Sequence, residues 1–165
     1  MDRPWIRFSW RPLWILALWA SAFIVSQAVV LLRLHEGGAL GAGLGAGLLG
    51  LIAAACLDRF HPKGAFSWQV AKNVTALVLV VVILGAFLAP ALRSDPDTFF
   101  SSSPDEQFVE SDQYGANRQV KSSRELGREH WAERVSGSLT FALVLGGFSV
   151  INLGRNLIPR RPGTA

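Results

Sequence analysis

Few residues in this chain have the types and spacing to do chemistry. Gly45-Ala46-Gly47-Leu48-Leu49-Gly50 spells G-x-G-x-x-G, the pattern whose backbone N–H groups cradle a dinucleotide pyrophosphate. That chemistry needs a strand before the glycines, a helix opening at them and an acidic residue about 20 positions on. Here the glycines sit in the middle of an apolar run, so they read as helix-packing residues. His35, His61 and His130 could ligate a metal, but no two have H-x-x-x-H spacing. The one cysteine, Cys56, has no second thiol for a metal site or an internal disulfide. Glu125, Glu129 and Glu133 recur every four residues and so share one helix face. Such a row serves as a solvated face, a weak divalent-cation strip or a docking strip for a basic partner. No nucleophile stands beside a base, so no catalytic, cofactor-binding or metal residue is assigned, no cofactor is expected, and enzyme activity is not expected.

The elements that carry these residues are set by four apolar stretches, Leu13 to Leu32, Ala39 to Leu57, Val74 to Leu92 and Leu139 to Leu153, none containing Asp, Glu, Lys, Arg or His. About 20 apolar residues cross a hydrocarbon layer roughly 30 Å thick. The last stretch reaches that length if it runs on past Arg155 through Ile158. The sequence therefore predicts an all-α integral membrane protein, a single domain of four helices over about 13–32, 39–57, 74–92 and 138–158. A long connection, 93–137, joins the third helix to the fourth and is expected to be partly disordered. An alternative for the first stretch is a secretory signal, since Arg3, Arg7 and Arg11 precede it and Ala20-Ser21-Ala22 mimics a cleavage site. Its apolar run is longer than the 7 to 15 residues usual for a signal, which favours an uncleaved helix.

Charge is partitioned between the two sides of that bundle. Arg3, Arg7, Arg11, Arg59, Lys63, Lys72, Arg155, Arg160 and Arg161 fall on the N-terminal tail, the second connection and the C-terminal tail. Nine of the twelve acidic residues fall in 93–137. The positive-inside rule then places both termini in the cytoplasm and the long connection outside. The net charge of +4 thus reports topology and attraction to lipid head groups, and no nucleic-acid partner is expected. Arg outnumbers Lys, and Ala and Gly are abundant, a bias of GC-rich bacteria. The expected location is the bacterial cytoplasmic (inner) membrane.

Within the helices, the second is distinctive: Gly41, Gly43, Gly45, Gly47, Gly50 and Ala54 repeat along several rows at four-residue spacing. Small rows let backbones approach closely, which puts this helix at the centre of the bundle or at a homo-oligomer seam. Gln27, Ser149 and Asn152 are the notable polar side chains inside the spans; each needs a hydrogen-bond partner and marks a face turned toward other helices. Trp5, Trp10, Trp14 and Trp19 read as interfacial anchors. Ser67 is a candidate N-cap for the third helix, and Pro90 should end or bend it. In the connection, Ser122 and Glu125 have capping-box spacing, so a helical stretch should start there and run toward the fourth helix. Residues 94–117 should have little regular structure, while Phe99, Phe100, Phe108 and Tyr114 are candidates for docking a partner, covering the bundle mouth or dipping into the interface.

In helix count and in its long outer connection the chain resembles the quinone-linked disulfide-forming membrane oxidoreductases. That family works through external cysteine pairs, and none is present, so the resemblance implies topology and not chemistry. Small multidrug transporters share the helix count but rely on an intramembrane carboxylate, which is also missing. The expectation is a non-catalytic accessory, assembly or regulatory protein, whose partners are the bilayer and another membrane or extracytoplasmic protein. The alternative is a small transporter, facilitator or lipid-binding protein.

Overall fold

The computed structural model describes residues 11–35, 39–59, 66–100, 103, 106–111 and 118–157. They are mostly helical, and four helices are long and apolar enough to cross a membrane: Leu13–Leu34, Leu40–Leu57, Trp68–Arg93 and Ser123–Arg155. The segments around them that carry Arg3, Arg7, Lys63, Arg160 and Arg161 lie outside the described residues, as do Tyr114 and Ile158.

Helix α1 (Arg11–Leu34) takes Pro12 in its first turn, where a missing N–H removes no helical hydrogen bond. It closes at His35, whose left-handed backbone (φ 58°) lets its N–H bond the Leu31 carbonyl at 2.8 Å. Helix α2 (Leu40–Arg59) ends with the Lys72 ammonium donating to the Leu57 carbonyl at 3.1 Å, a cation on the negative end of the helix dipole. Helix α3 (Phe66–Ile83) begins eight residues before the apolar run at Val74. Ser67 accordingly lies inside its first turn and not at the N-cap.

Pro90 does not end this helix. A π-turn, Leu84–Leu88, leads directly into α4 (Ala89–Arg93), with the Ala89 N–H reaching back to the Leu84 carbonyl. In a regular helix the proline ring would meet the carbonyl four residues earlier; the widened turn makes room for it. After α4 comes a 3-10 turn, Pro96–Thr98, in which Asp95 accepts the Asp97 N–H at 3.1 Å.

The described residues of the connection include regular structure that its polar composition does not suggest. Strands β1 (Gln107–Ser111) and β2 (Arg118–Ser122) form an antiparallel pair with Phe108 opposite Lys121 and Val109 opposite Val120. Helix α5 (Ser123–Leu157) then follows without a break and runs 35 residues. The fourth helix thus starts at Ser123, fifteen residues before the predicted boundary at 138. Hydropathy stops at Ser138, but helix formation does not depend on it: residues 123–137 lack proline, are rich in Arg and Glu, and open with the predicted capping box. The Ser122 N–H donates to the Glu125 carboxylate at 2.9 Å, and the Glu125 N–H returns to the Ser122 hydroxyl at 3.3 Å.

Helix α5 packs against α1, α2 and α3 and is the centre of the bundle. Its span is 44% buried, against 22% or less for each of the others. This corrects the placement of α2 at the centre. α2 presents only one face to the bundle, whereas α5 carries small or slim residues, such as Ala132, Ser136, Thr140, Ala142 and Val144, on several faces. Two apolar clusters follow its length. One joins Ala76 and Val80 to Ala142 and Leu145; the other joins Val30, Leu88 and Ala91 to Trp131, Ala132 and Val135.

Candidate functional site

Beyond the apolar stretches, the described residues between Ser94 and Val135 form a head whose parts are fixed to α5. One face of the helix, Arg124, Arg128, Trp131 and Val135, meets the 3-10 turn and the end of α4. The fully buried Trp131 indole donates its N–H to the Ala91 carbonyl at 2.6 Å. Ala91 is in the last turn of a helix, where carbonyls lack intrahelical backbone donors, and its carbonyl accepts both the indole N–H and the Ser94 hydroxyl, the latter at 3.0 Å. Arg128 Nε donates to Asp97 Oδ1 at 2.6 Å, and Arg124 Nε stands 3.7 Å from Asp97 Oδ2. These bring the Asp97 carboxyl below the usual carboxylate pKa: the hydrogen bond from Arg128 is the main cause, opposed by desolvation and helped by the charges of Arg128 and Arg124. Between them, Gly127 lets the turn approach; a Cβ there would fall 2.7 Å from the Pro96 carbonyl oxygen. Only glycine fits that spacing without displacing backbone.

The aromatic candidates are anchored here. Phe100 stacks on His130 (centroids 5.4 Å apart, 15° between planes) and meets Phe108 edge-on at 5.3 Å. Phe99 packs against the Trp131 cluster and lies under the Arg134 guanidinium, whose carbon is 5.7 Å from both the Phe99 and the Phe87 ring centroids. Phe99, Phe100, His130 and Arg134 line an open cleft of about 360 Å³. Of the aromatic residues expected to dock a partner, cover the bundle mouth or dip into the interface, Phe99, Phe100 and Phe108 lie together against α5 and the hairpin, and Tyr114 lies outside the described residues. The acidic row divides among local tasks. Glu125 closes the capping box, Glu129 pairs with Lys121 at 2.8 Å, and the Glu133 carboxylate lies 3.7 Å from His130 Nδ1. Among the described residues no group of three or more His, Cys, Asp or Glu side chains could hold a metal.

Inside the spans a polar seam joins α1, α2 and α5. Gln27 Nε2 donates to the Ser136 hydroxyl at 2.7 Å, and Ser136 donates to the Ala39 carbonyl at 3.3 Å. One turn deeper, the buried Thr140 hydroxyl donates to Ser26 at 2.7 Å, and Ser26 donates to the Phe23 carbonyl at 2.8 Å. The small row of α2 lines this seam. A Cβ at Gly43 would fall 2.6 Å from Ser136 Oγ, one at Gly47 would collide with the Trp19 indole, and one at Gly50 would press on Val144 at 3.1 Å. Ala54 is buried further along. Gly41 and Gly45, however, are exposed with nothing within 4 Å of a built Cβ. On a helix of 3.6 residues per turn these two glycines face away from the row that meets the bundle, on the surface that a seam with a second copy would use. Ser149 is fully buried with its hydroxyl unbonded, and Asn152 is half-buried.

Sequence reasoning passed over Trp131, Asp97, Arg128, Gly127 and Arg134. The spacing 124, 128, 131, 135 was a legible signal for one helix face, but what that face would meet lies about 30 to 40 residues away in the chain. The four apolar helices fit a multi-pass membrane protein. Comparison with protein-family models, with curated proteins and with solved structures gives no match in any of the three.

Proposed function

We propose that the chain is a non-catalytic multi-pass protein of the bacterial cytoplasmic membrane, with both termini inside, that acts as an accessory, assembly or regulatory subunit through its external head. The observation that carries this reading is the way the head is built. Trp131, the Arg128–Asp97 pair and the Gly127 contact hold the turn to α5, and the Lys121–Glu129 pair and the Phe108 contact with Phe100 hold the hairpin to the same helix, so the head is presented at a set height and angle. The cations of the two tails and the second connection support the orientation. A preorganised head spares a partner the ordering cost that a loose loop would impose.

The test is photocrosslinking in cells from Val120, 60% exposed on the hairpin, with Gly45 on the outer face of α2 as the control. A single heterologous protein captured at Val120 and not at Gly45 is the expected result. Lipid or self adducts alone at both positions would overturn it in favour of a small transporter, facilitator or lipid-binding protein. That second reading is favoured by one observation: Gln27 Oε1 and Trp19 Nε1 are buried beside the polar seam without hydrogen-bond partners.

A further inference from the structure

We propose that Arg134, held over Phe87 and Phe99, binds the phosphate of a phospholipid in the leaflet that adjoins the head. This inference is independent of the proposed partner role and of which side of the membrane the head occupies. Phe87 belongs to the apolar Trp68–Arg93 span and is 47% exposed on its outer surface. It lies six residues before Arg93, about 9 Å inward at 1.5 Å per residue. The Arg134 guanidinium is held over that ring and over Phe99, which follows the end of the span, at 5.7 Å from each centroid.

A cation at that depth needs an anion or water, and long basic side chains near span ends reach for the interface. The two rings stabilise its charge but accept none of its N–H donors. Among the described residues Arg134 has no carboxylate partner, and the adjacent Glu133 is turned toward His130 at 3.7 Å. A phosphate diester supplies what is missing, because its paired oxygens match the planar donor fork of a guanidinium. The cleft lined by Phe99, Phe100, His130 and Arg134, about 360 Å³ and open, gives the head group a place beside the exposed Phe87, along which an acyl chain can lie.

The experiment is native mass spectrometry of the full chain released from nanodiscs of phosphatidylglycerol, with retained lipid titrated against added detergent. Wild type and an Arg124→Gln control are expected to retain one phosphatidylglycerol. Arg134→Gln should weaken retention about tenfold, the loss of one charge-assisted contact. Phe87→Leu, which removes a ring from the surface, should weaken it less and serves if Arg134→Gln lowers the melting temperature. Diacylglycerol with the same chains should not be retained. Equal retention by Arg134→Gln and Phe87→Leu, or of diacylglycerol, would overturn the proposal. Displacement by millimolar inorganic phosphate would overturn the lipid assignment and leave a free-phosphate site.

Discussion

Asp97 shows how much of the head depends on one side chain. It accepts from Arg128, faces Arg124 and sits in a turn whose own N–H groups are tied to Asp95. Its carboxyl pKa is lowered from 3.8, so the anion is the form that the folded head prefers. For a group depressed in this way the stabilisation is complete above the unfolded pKa and is lost as pH falls through the lower folded value. The side chain is about one-third exposed, which screens the pair and limits its worth to about 1 kcal/mol or less. Asp97→Asn is therefore expected to melt below wild type at about pH 7, with the two curves converging once the medium is more acidic than the depressed pKa. Parallel curves across that range would show that the carboxylate is not what couples the turn to α5. Trp131 contributes differently: its buried indole N–H shares the Ala91 carbonyl in the last turn of α4 with the Ser94 hydroxyl, so its role is fixed by where a helix ends.

At the scale of elements, α2 separates what a sequence can show from what it cannot. The abundance of small residues, and the close approach it permits, were readable; which of the five glycines meet a neighbour was not. The choice depends on the rotation of the helix about its axis, and that is set by Trp19, Ser136, Thr140 and Val144 on two other elements. Gly47→Leu should consequently disrupt the α1–α2–α5 contact, losing about 1–3 kcal/mol or failing to fold, whereas Gly45→Leu should leave the detergent melting curve within about 0.5 kcal/mol of wild type. Equal effects would mean that α2 is rotated from the position described. The capping box at Ser122 and Glu125 was legible because both halves of it are local. The hairpin before it was not, since the aromatic residues that fix it, Phe100 and Phe108, meet across the head with His130 as their third member. Polar composition conceals such a structure because a two-stranded pair buries little and owes its place to what it leans on.

For the molecule as a whole, one helix carries both environments. α5 supplies one wall of the membrane core through Ala142 and Leu145 and of the head core through Trp131 and Val135, while the segment from α3 to α4 supplies the other wall of both. Four spans could be read from hydropathy alone, but that the ends of the apolar runs around Val30, Leu88 and Ala91 share a second core with Trp131, Ala132 and Val135 could not, because the head residues of α5 are charged in sequence and buried on only one side. The π-turn at Leu84–Leu88 has a further consequence here, which is best put as phase. The buried positions run 73, 76 and 80 below it and 88 and 91 above it; an unbroken 3.6-residue period from Val80 would have brought Phe87 toward α5 in place of Leu88. The wide turn therefore behaves as a one-residue insertion, advancing the pattern by about 100° and turning Phe87 out to the surface. Deleting Gly85 together with Pro90→Ala should then give a straight helix whose two contact rows stay in step, and it should insert and melt close to Pro90→Ala alone. Deleting Val78 in the same background leaves the extra residue in place and throws the lower row out of step, and should destabilise the bundle. The chain, on this view, contains two cores written in different frames, and a single widened turn is the punctuation that lets one helix be read in both.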